Sequence, residues 1–209
     1  MRQIWIAVLL PLGGCSSPSE VTGEWISLFD GESLEGWTAN ENRETFRVED
    51  GLIVAHGPRS HLYYTGPVAD HDFKNFELEV EVMTTPGSNS GLYFHTEFEE
   101  EGWPAKGYEA QINNSHTDPR LTGSLYGIED VLEKRVGDNE WFVERVTVRD
   151  RRIIIQVNRE TVVDYTEPDD PKRPENAAGR LLSSGTIALQ GHDPKSKVFY
   201  REVRIRLLD

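Results

Sequence analysis

The chain has little cysteine, little positive charge and no sustained helical pattern, and each shortage excludes a class of protein. Cys15 is the only cysteine among 209 residues, so no disulfide can form within the chain. The 22 Lys and Arg are outnumbered by 36 Asp and Glu, and a net charge of -14 would repel the phosphate backbone of nucleic acid. No window repeats apolar residues at a period of 3.6, which disfavours a helical fold. We therefore expect few helices and no nucleic-acid partner.

Residues 1–15 are typical of a lipoprotein signal. A positive Arg2 precedes an apolar run too short to span a bilayer, and residues 12–15 read Leu-Gly-Gly-Cys. In this lipobox pattern Cys15 is acylated and becomes the new N-terminus; the alternative is an apolar tail with a chance cysteine. Residues 16–23 are predicted to be a polar tether. We expect a lipid-anchored protein of the bacterial cell envelope, at the periplasmic face or on the cell surface.

Short strands separated by turns account for most of residues 24–209, which we predict to form one domain. Residues 76–82 alternate apolar residues with Glu77, Glu79 and Glu81, as in a strand with one face on a core. Asp50-Gly51 separates two strand-like segments and predicts a tight hairpin. This spacing favours an all-β fold, a β-sandwich or jelly roll, over a mixed fold.

Residues 88–111 contain two strand-like segments with polar faces. Side chains two residues apart on a strand point the same way, so Tyr93 should share a face with His95, and Glu109 with Gln111. A solvated strand face is the commonest alternative for such alternating polar residues. An acidic group, an amide, an imidazole and an aromatic ring on one face would suit a sugar site.

A third polar face, with Gln190 and His192, favours the recognition hypothesis over the solvated one. The loops at residues 98–106 and 113–126 could wall such a surface. Three Glu in a row at 77, 79 and 81 are interpreted instead as a solvated or edge-protecting face, and not as catalytic. We predict no cofactor, because no two histidines have a local metal-binding spacing; a divalent metal held by His95, Glu109 and His192 is left as an alternative.

Several motifs together resemble the 3-keto-disaccharide hydrolase family over nearly the whole mature chain. The resemblance implies a concanavalin-A-like jelly roll of two packed antiparallel sheets that acts on 3-keto-glycosides. The motifs are Leu-Phe-Asp-Gly and Leu-x-Gly-Trp within residues 25–37, Ser-Asn-Ser-Gly at 88–91, Gly-Tyr-Glu-Ala-Gln at 107–111, Thr-Gly-Ser-Leu-Tyr at 122–126, and Ile-Ala-Leu-Gln-Gly-His at 187–192.

A ketone at C3 acidifies the hydrogen on C2, so one base can remove it and the C1 substituent can leave before water adds. By resemblance, either Glu109 or His192 would be the base. Asn89, Gln111 and Gln190 would bind sugar hydroxyls or polarise the carbonyl. Members often carry Arg where this chain has His95.

A non-catalytic carbohydrate-binding module on the same scaffold is the rival hypothesis. In that case Tyr93, Trp103 and Tyr126 would stack on sugar rings, and Glu109 would only accept hydrogen bonds. Both hypotheses predict an oligosaccharide or glycoside ligand. A deep pocket that brings Glu109 and His192 together favours the enzyme, whereas a shallow groove with exposed rings favours the binding module.

Overall fold

The structure, a computed structural model, describes residues 23–209. The predicted signal, Cys15 and nearly all of the predicted tether lie outside the described residues. Over residues 23–209 we find no helix with the length and apolarity needed to cross a membrane.

Two antiparallel sheets form the described part of the chain, which confirms the predicted all-β sandwich. Three short 3₁₀ turns, at Arg43–Thr45, Val68–His71 and Glu175–Ala177, are the helical segments in it. In chain order the strands are β1 (Ile26–Ser27), β2 (Trp37–Ala39), β3 (Phe46–Glu49), β4 (Leu52–Ala55), β5 (Ser60–Tyr64), β6 (Phe76–Thr84), β7 (Asn89–Thr96), β8 (Tyr108–Asn113), β9 (Phe142–Arg149), β10 (Arg152–Val157), β11 (Glu160–Thr166), β12 (Thr186–Gly191) and β13 (Val198–Leu207).

The larger sheet has eight strands and the smaller one five. The larger has the order β11-β10-β9-β6-β13-β4-β3, with β1 added beside β13, and the smaller has the order β2-β5-β12-β7-β8. The β3–β4 hairpin turns through Asp50 and Gly51, at φ of 52° and 78°. The Asp-Gly pair was predicted to turn here because both residues tolerate the positive φ that a tight hairpin needs.

The core lies between the two sheets. Phe76 on β6 meets Phe94 on β7 edge to face, with ring centroids 6.1 Å apart. Apolar residues of β6 alternate into this core and are fully buried, as predicted. Each buried side chain of this size contributes about 1.5–3 kcal/mol to folding.

The outward face of the larger sheet pairs its glutamates with arginines. Glu79 hydrogen bonds with Arg145 and Arg204, while Arg206 binds Glu77 and Arg201 binds Glu81. The interpretation as a solvated or edge-protecting face is wrong, because β6 lies between β9 and β13 inside the sheet and both Glu77 and Glu79 are buried.

Trp25 is half-buried and lies over this arginine layer. Its ring is 5.5 Å from the guanidinium carbon of Arg145 and 4.8 Å from that of Arg204. A cation over an indole face is favourable, and here the ring shields the ion pairs from water.

A loop continues the smaller sheet beyond β8. Gln111 N–H donates to the Ser124 carbonyl at 3.0 Å, and Tyr126 N–H donates to the Glu109 carbonyl at 3.0 Å. Within this loop, Leu125 forms isolated bridges with Ala110 and Glu129. These bonds fix the backbone on both sides of Glu109.

Candidate active site

A cleft of about 740 Å³ opens on the outward face of the smaller sheet. Side chains of β7, β8 and β12 form its floor, and the loops at 103–106 and 175–180 contribute to its walls. Every predicted catalytic or binding residue except His95 lines it: Glu109, His192, Asn89, Tyr93, Trp103, Gln111, Tyr126 and Gln190. Residues far apart in the sequence therefore meet here because their strands are neighbours in one sheet.

Glu109 is the buried carboxyl group of the cleft. Its residue is 4% exposed, and burial raises its pKa to about 7 against the opposing charge of Arg180. Arg180 Nη2 lies 4.0 Å from Oε2, and Gln190 Nε2 donates to Oε1 at 2.9 Å. A carboxyl group with a pKa near neutrality can both accept and return a proton at physiological pH.

Gly91 makes room for this carboxylate. On β7, Gly91 is opposite Gln111 and Tyr93 is opposite Glu109. A Cβ built on Gly91 would lie 2.4 Å from Glu109 Oε1, far inside van der Waals contact. The glycine is therefore needed for space at the floor of the cleft.

Tyr93 and Gln190 form a hydrogen-bonded group with Glu109. Gln190 Nε2 donates to Tyr93 Oη at 3.0 Å as well as to Glu109. Burial and the neighbouring Glu109 charge raise the pKa of Tyr93 well above its usual value, so the phenol stays protonated. Gln190 Oε1 is buried and has no hydrogen-bond partner within residues 23–209. It is an acceptor available to a substrate hydroxyl.

The amide of Gln111 also belongs to this group. Turned so that its nitrogen faces acceptors, it donates to Glu109 Oε1 at 3.3 Å and to the Ser90 carbonyl at 3.2 Å. We assign this orientation because it gives the nitrogen two acceptors, and the Asn89 amide then turns so that its nitrogen donates to Gln111 Oε1 at 3.1 Å. Asn89 lies beside it and approaches His116 Nδ1 at 3.4 Å.

His192 is held by Asp193 at the same cleft. The His192 Nδ1 to Asp193 Oδ2 distance is 2.8 Å, and Ser196 Oγ donates to the same oxygen at 2.8 Å. Burial alone would raise the pKa of Asp193, but these bonds outweigh it and lower the pKa to about 2. An ionised Asp193 fixes the imidazole in one orientation.

One group of side chains within the described residues could hold a metal ion. His116, His192 and Asp193 place potential ligand atoms within 4.8 Å of one another, and the two imidazole centroids are 5.3 Å apart. Two imidazoles and a carboxylate form a donor set that divalent transition metals accept. The grouping suggested from the sequence, of His95 with Glu109 and His192, does not form. His116 was missed because it lies in a loop with no local motif.

His95 was expected beside Tyr93, and this expectation is wrong. The residue has φ of +55°, and the β7–β12 register shifts at this point, so the alternation of faces is broken. The ring packs against Phe76, Nε2 contacts the Lys74 carbonyl at 2.9 Å, and Nδ1 accepts from the Ser183 N–H at 3.2 Å. Burial lowers its pKa. His95 is therefore a neutral residue that ties two loops to β7.

Tyr126 lies between two guanidinium groups and is poorly placed to stack on a sugar. Arg120 and Arg180 lie 4.7 and 5.0 Å from its ring centroid, and its hydroxyl donates to Asp118 Oδ2 at 3.0 Å. Arg180 was not predicted, because it ends a proline-rich, charged loop and nothing in its surroundings marks it. Of the three aromatic side chains proposed to stack on sugar rings in the binding-module hypothesis, Tyr93 and Trp103 are left.

The fold and the cleft define a lectin-like β-sandwich with a polar site on one sheet. A structure from Parabacteroides distasonis ATCC 8503, named provisionally as a glycosyl hydrolase, is similar at TM-score 0.75 and 23% identity, over 88% of this chain and 94% of that one. The carbohydrate-binding module CBM66 from Bacillus subtilis is similar at TM-score 0.57 and 12% identity, over 82% and 95%. These likenesses describe the fold.

The family assignment rests on the sequence. Residues 24–206 match the model of the 3-keto-alpha-glucoside-1,2-lyase-like domain, and the chain belongs to this family. A 3-keto-disaccharide hydrolase of Bacteroides thetaiotaomicron is 26% identical over 230 aligned positions, which cover 88% of this chain and 79% of the relative. The resemblance recognised from the motifs is thus confirmed.

Proposed function

We propose that this protein is a glycoside-cleaving enzyme that acts on 3-keto-glycosides by removing the C2 proton. The observation that carries the proposal is Glu109, a buried carboxyl group with a pKa raised to about 7 on the floor of a sugar-sized cleft. Membership of the family and the name of the Bacteroides relative support the substrate class.

Glu109 takes the proton from C2, and the electron pair of the broken C–H bond forms the C2–C3 double bond of an enolate. When the carbonyl re-forms at C3, the pair shifts to make a C1–C2 double bond and the C1–O bond breaks. The departing oxygen takes a proton, and we assign this acid role to His192, which Asp193 orients. Water then adds hydroxyl to C1 and a proton to C2, so the net reaction is hydrolysis.

The polar groups around Glu109 suit this route. An enolate needs a donor at O3, and the Tyr93 hydroxyl, which accepts from Gln190 and keeps its own proton, is a neutral donor next to the base. Two carboxyl groups about 5–5.5 Å apart are what direct retaining hydrolysis requires. The contacts of Glu109 are instead an amide, a phenol and a guanidinium.

We also propose that the protein is lipid-anchored in the cell envelope. The lipobox-like sequence at residues 12–15 supports acylation of Cys15 and a cell-envelope location. No cofactor is assigned to the reaction, and the His116, His192 and Asp193 group is the place to look for a metal effect.

Purified protein should be incubated with a 3-keto-disaccharide and with its unoxidised form, each with and without a chelator. We expect cleavage of the oxidised sugar alone, with Glu109→Gln strongly and His192→Ala measurably impaired. An intact 3-keto-disaccharide under all conditions, or variants that match the wild type, would contradict the proposal. Saturable binding without cleavage would favour the rival binding module.

A further inference from the structure

Two polar side chains next to the cleft are sealed from solvent without protein partners. His61 and Tyr63 on β5 are both fully buried. Neither nitrogen of His61, nor the hydroxyl oxygen of Tyr63, has a hydrogen-bond partner within residues 23–209. We call His61 and Tyr63 the covered patch. A buried polar group without a partner destabilises the folded state, so its presence calls for a functional explanation.

The covered patch continues the floor of the cleft. In the β5–β12 register His61 is opposite Gln190, and Tyr63 is opposite Ala188. The ring of His61 is 5.3 Å from that of Tyr93, edge to face. The covered patch and the side chains around Glu109 therefore lie side by side on one face of the smaller sheet, with Gln190 of β12 between them.

Both members of the covered patch are neutral. Burial lowers the pKa of His61 to about 3, so its ring carries one donor and one acceptor. Burial likewise raises the pKa of Tyr63, whose hydroxyl stays protonated. Neutral donors and acceptors beside aromatic rings suit the hydroxyls of an uncharged sugar and not an ion.

A covering loop, residues 97–106, closes over the patch. Phe98 lies 5.2 Å from the ring of Tyr63, and Trp103 lies 5.4 Å from that of His61. No backbone group of this loop makes a hydrogen bond with the polar atoms of His61 or Tyr63. The loop therefore excludes water from the patch without satisfying its polar atoms.

Few backbone hydrogen bonds attach the covering loop, although Trp103 also contacts His192 and the Arg59 guanidinium. The loop has no strand, and its links to the β2–β3 connection are Asn40 Nδ2 to the Glu99 carbonyl at 3.2 Å and Gly102 N–H to Glu41 Oε1 at 3.3 Å. Phe98 and Trp103 remain 45% and 43% exposed although they cover the patch. Few backbone bonds and exposed aromatic side chains are features of segments that open at low free-energy cost.

We propose that the covering loop opens and that the covered patch is a second subsite, which binds the neutral hexose that leaves from C1 of a 3-keto-disaccharide. His61 and Tyr63, whose polar atoms have no partner within residues 23–209, bind its hydroxyls. The role of this subsite in the reaction rests on the proposed function, whereas its binding of the hexose does not.

Kinetics with two substrates test the subsite. Tyr63→Phe removes only the hydroxyl, and His61→Leu removes the two nitrogens. Each should raise KM for a 3-keto-disaccharide about tenfold, the value of one hydrogen bond, and leave KM for a methyl 3-keto-glucoside within about twofold. Tyr64→Phe is the matched control, since Tyr64 belongs to the core cluster on the other face of β5. Equal effects on both substrates, or none on either, would overturn the subsite.

Two further measurements keep the subsite testable if the reaction fails. If the wild type cleaves neither substrate, the proposed function is wrong, and titration with glucose tests the subsite by itself. Saturable binding that Tyr63→Phe weakens supports the subsite, and no binding overturns it.

Hydrogen exchange tests whether the loop opens. Amides of residues 98–106 should exchange fast and become protected by the disaccharide or glucose. Slow exchange in the free protein would contradict an opening loop.

Discussion

The two sheets use glutamate in opposite ways. On the larger sheet Glu79 is 4% exposed, and although burial alone would raise its pKa, hydrogen bonds from Arg145 and Arg204 outweigh it and lower the pKa. On the smaller sheet Glu109 is equally buried, but Arg180 is 4.0 Å away and the pKa is raised to about 7. The same residue type is a fixed anion in one place and a proton acceptor in the other, because the number and distance of its cationic partners differ.

Glu144 shows that a raised pKa alone does not identify a site. It is buried on the core-facing row of β9, its carboxylate oxygens have no hydrogen-bond partner within residues 23–209, and burial raises its pKa to about 8. It lines no part of the cleft. What distinguishes Glu109 is the raised pKa together with a cleft and neighbouring donors.

Replacing the two glutamates separates their roles. Glu109→Gln should lower kcat/KM for a 3-keto-disaccharide roughly 10²–10⁴-fold, since a general base typically contributes that much. Glu79→Gln should leave kcat/KM within about twofold. Steady-state kinetics on both variants check this, and similar losses in the two would break the contrast between the sheets.

Gly91→Ala tests the space around Glu109 without removing it. The added Cβ would lie 2.4 Å from Oε1, so the carboxylate must move. We expect kcat/KM to fall by about 10²-fold, a loss typical of a misplaced catalytic group. Thermal melting should be measured alongside, and a well-folded variant with full activity would show that the position of Glu109 is not critical.

As pH rises towards 7, ionisation of Glu109 should raise activity and lower the stability of the fold. Ionisation of Glu109 should raise kcat/KM about tenfold per pH unit below pH 7, with a plateau above it. Because the folded pKa of about 7 exceeds the ordinary glutamate pKa of 4.5, the folded state holds the proton up to a higher pH. Stability relative to Glu109→Gln should therefore fall by about 3 kcal/mol as pH rises from 4.5 to 7. Denaturant titrations of both proteins across this range check the sign, and a constant difference would refute the raised pKa.

Stability is where Glu79 should matter. Glu79→Gln leaves Arg145 and Arg204 without their shared anion, and we expect the free energy of unfolding to fall by about 1–3 kcal/mol at pH 7. The loss should shrink as pH falls below 4.5, because protonation of Glu79, whose pKa is lowered, removes the ion pair. Urea unfolding at pH 7 and at a series of pH values below 4.5 measures it, and an unchanged value at pH 7 would mean that the arginines are adequately solvated without Glu79.

Local patterns predicted the strands and part of the site. The alternation in β6 and the Asp50-Gly51 turn depend only on neighbouring residues, so the local sequence was enough to predict them. Glu109 was found because its strand alternates regularly. His95 was misplaced because a register shift between two strands breaks the alternation, and that shift depends on a distant strand.

Two loop residues at the site, Arg180 and His116, were not predicted from the sequence. Arg180 lines the cleft and His116 contacts His192, each from a loop whose path depends on the completed sheet. Neither residue has a sequence pattern of its own. The ion pairs of Glu79 were missed for the same reason, because Arg145 and Arg204 are 66 and 125 positions away in the chain. The sequence therefore predicts the strand faces better than the partners that tune them.

The most direct test of Glu109 as the C2 base follows a deuterium label at C2 of a 3-keto-disaccharide during cleavage in ordinary water. The 3-keto-sugar product of the wild type should have lost the label beyond the exchange seen without enzyme, and Glu109→Gln should slow label loss and cleavage together. A product that keeps its deuterium at C2 would contradict the account and indicate direct hydrolysis at C1.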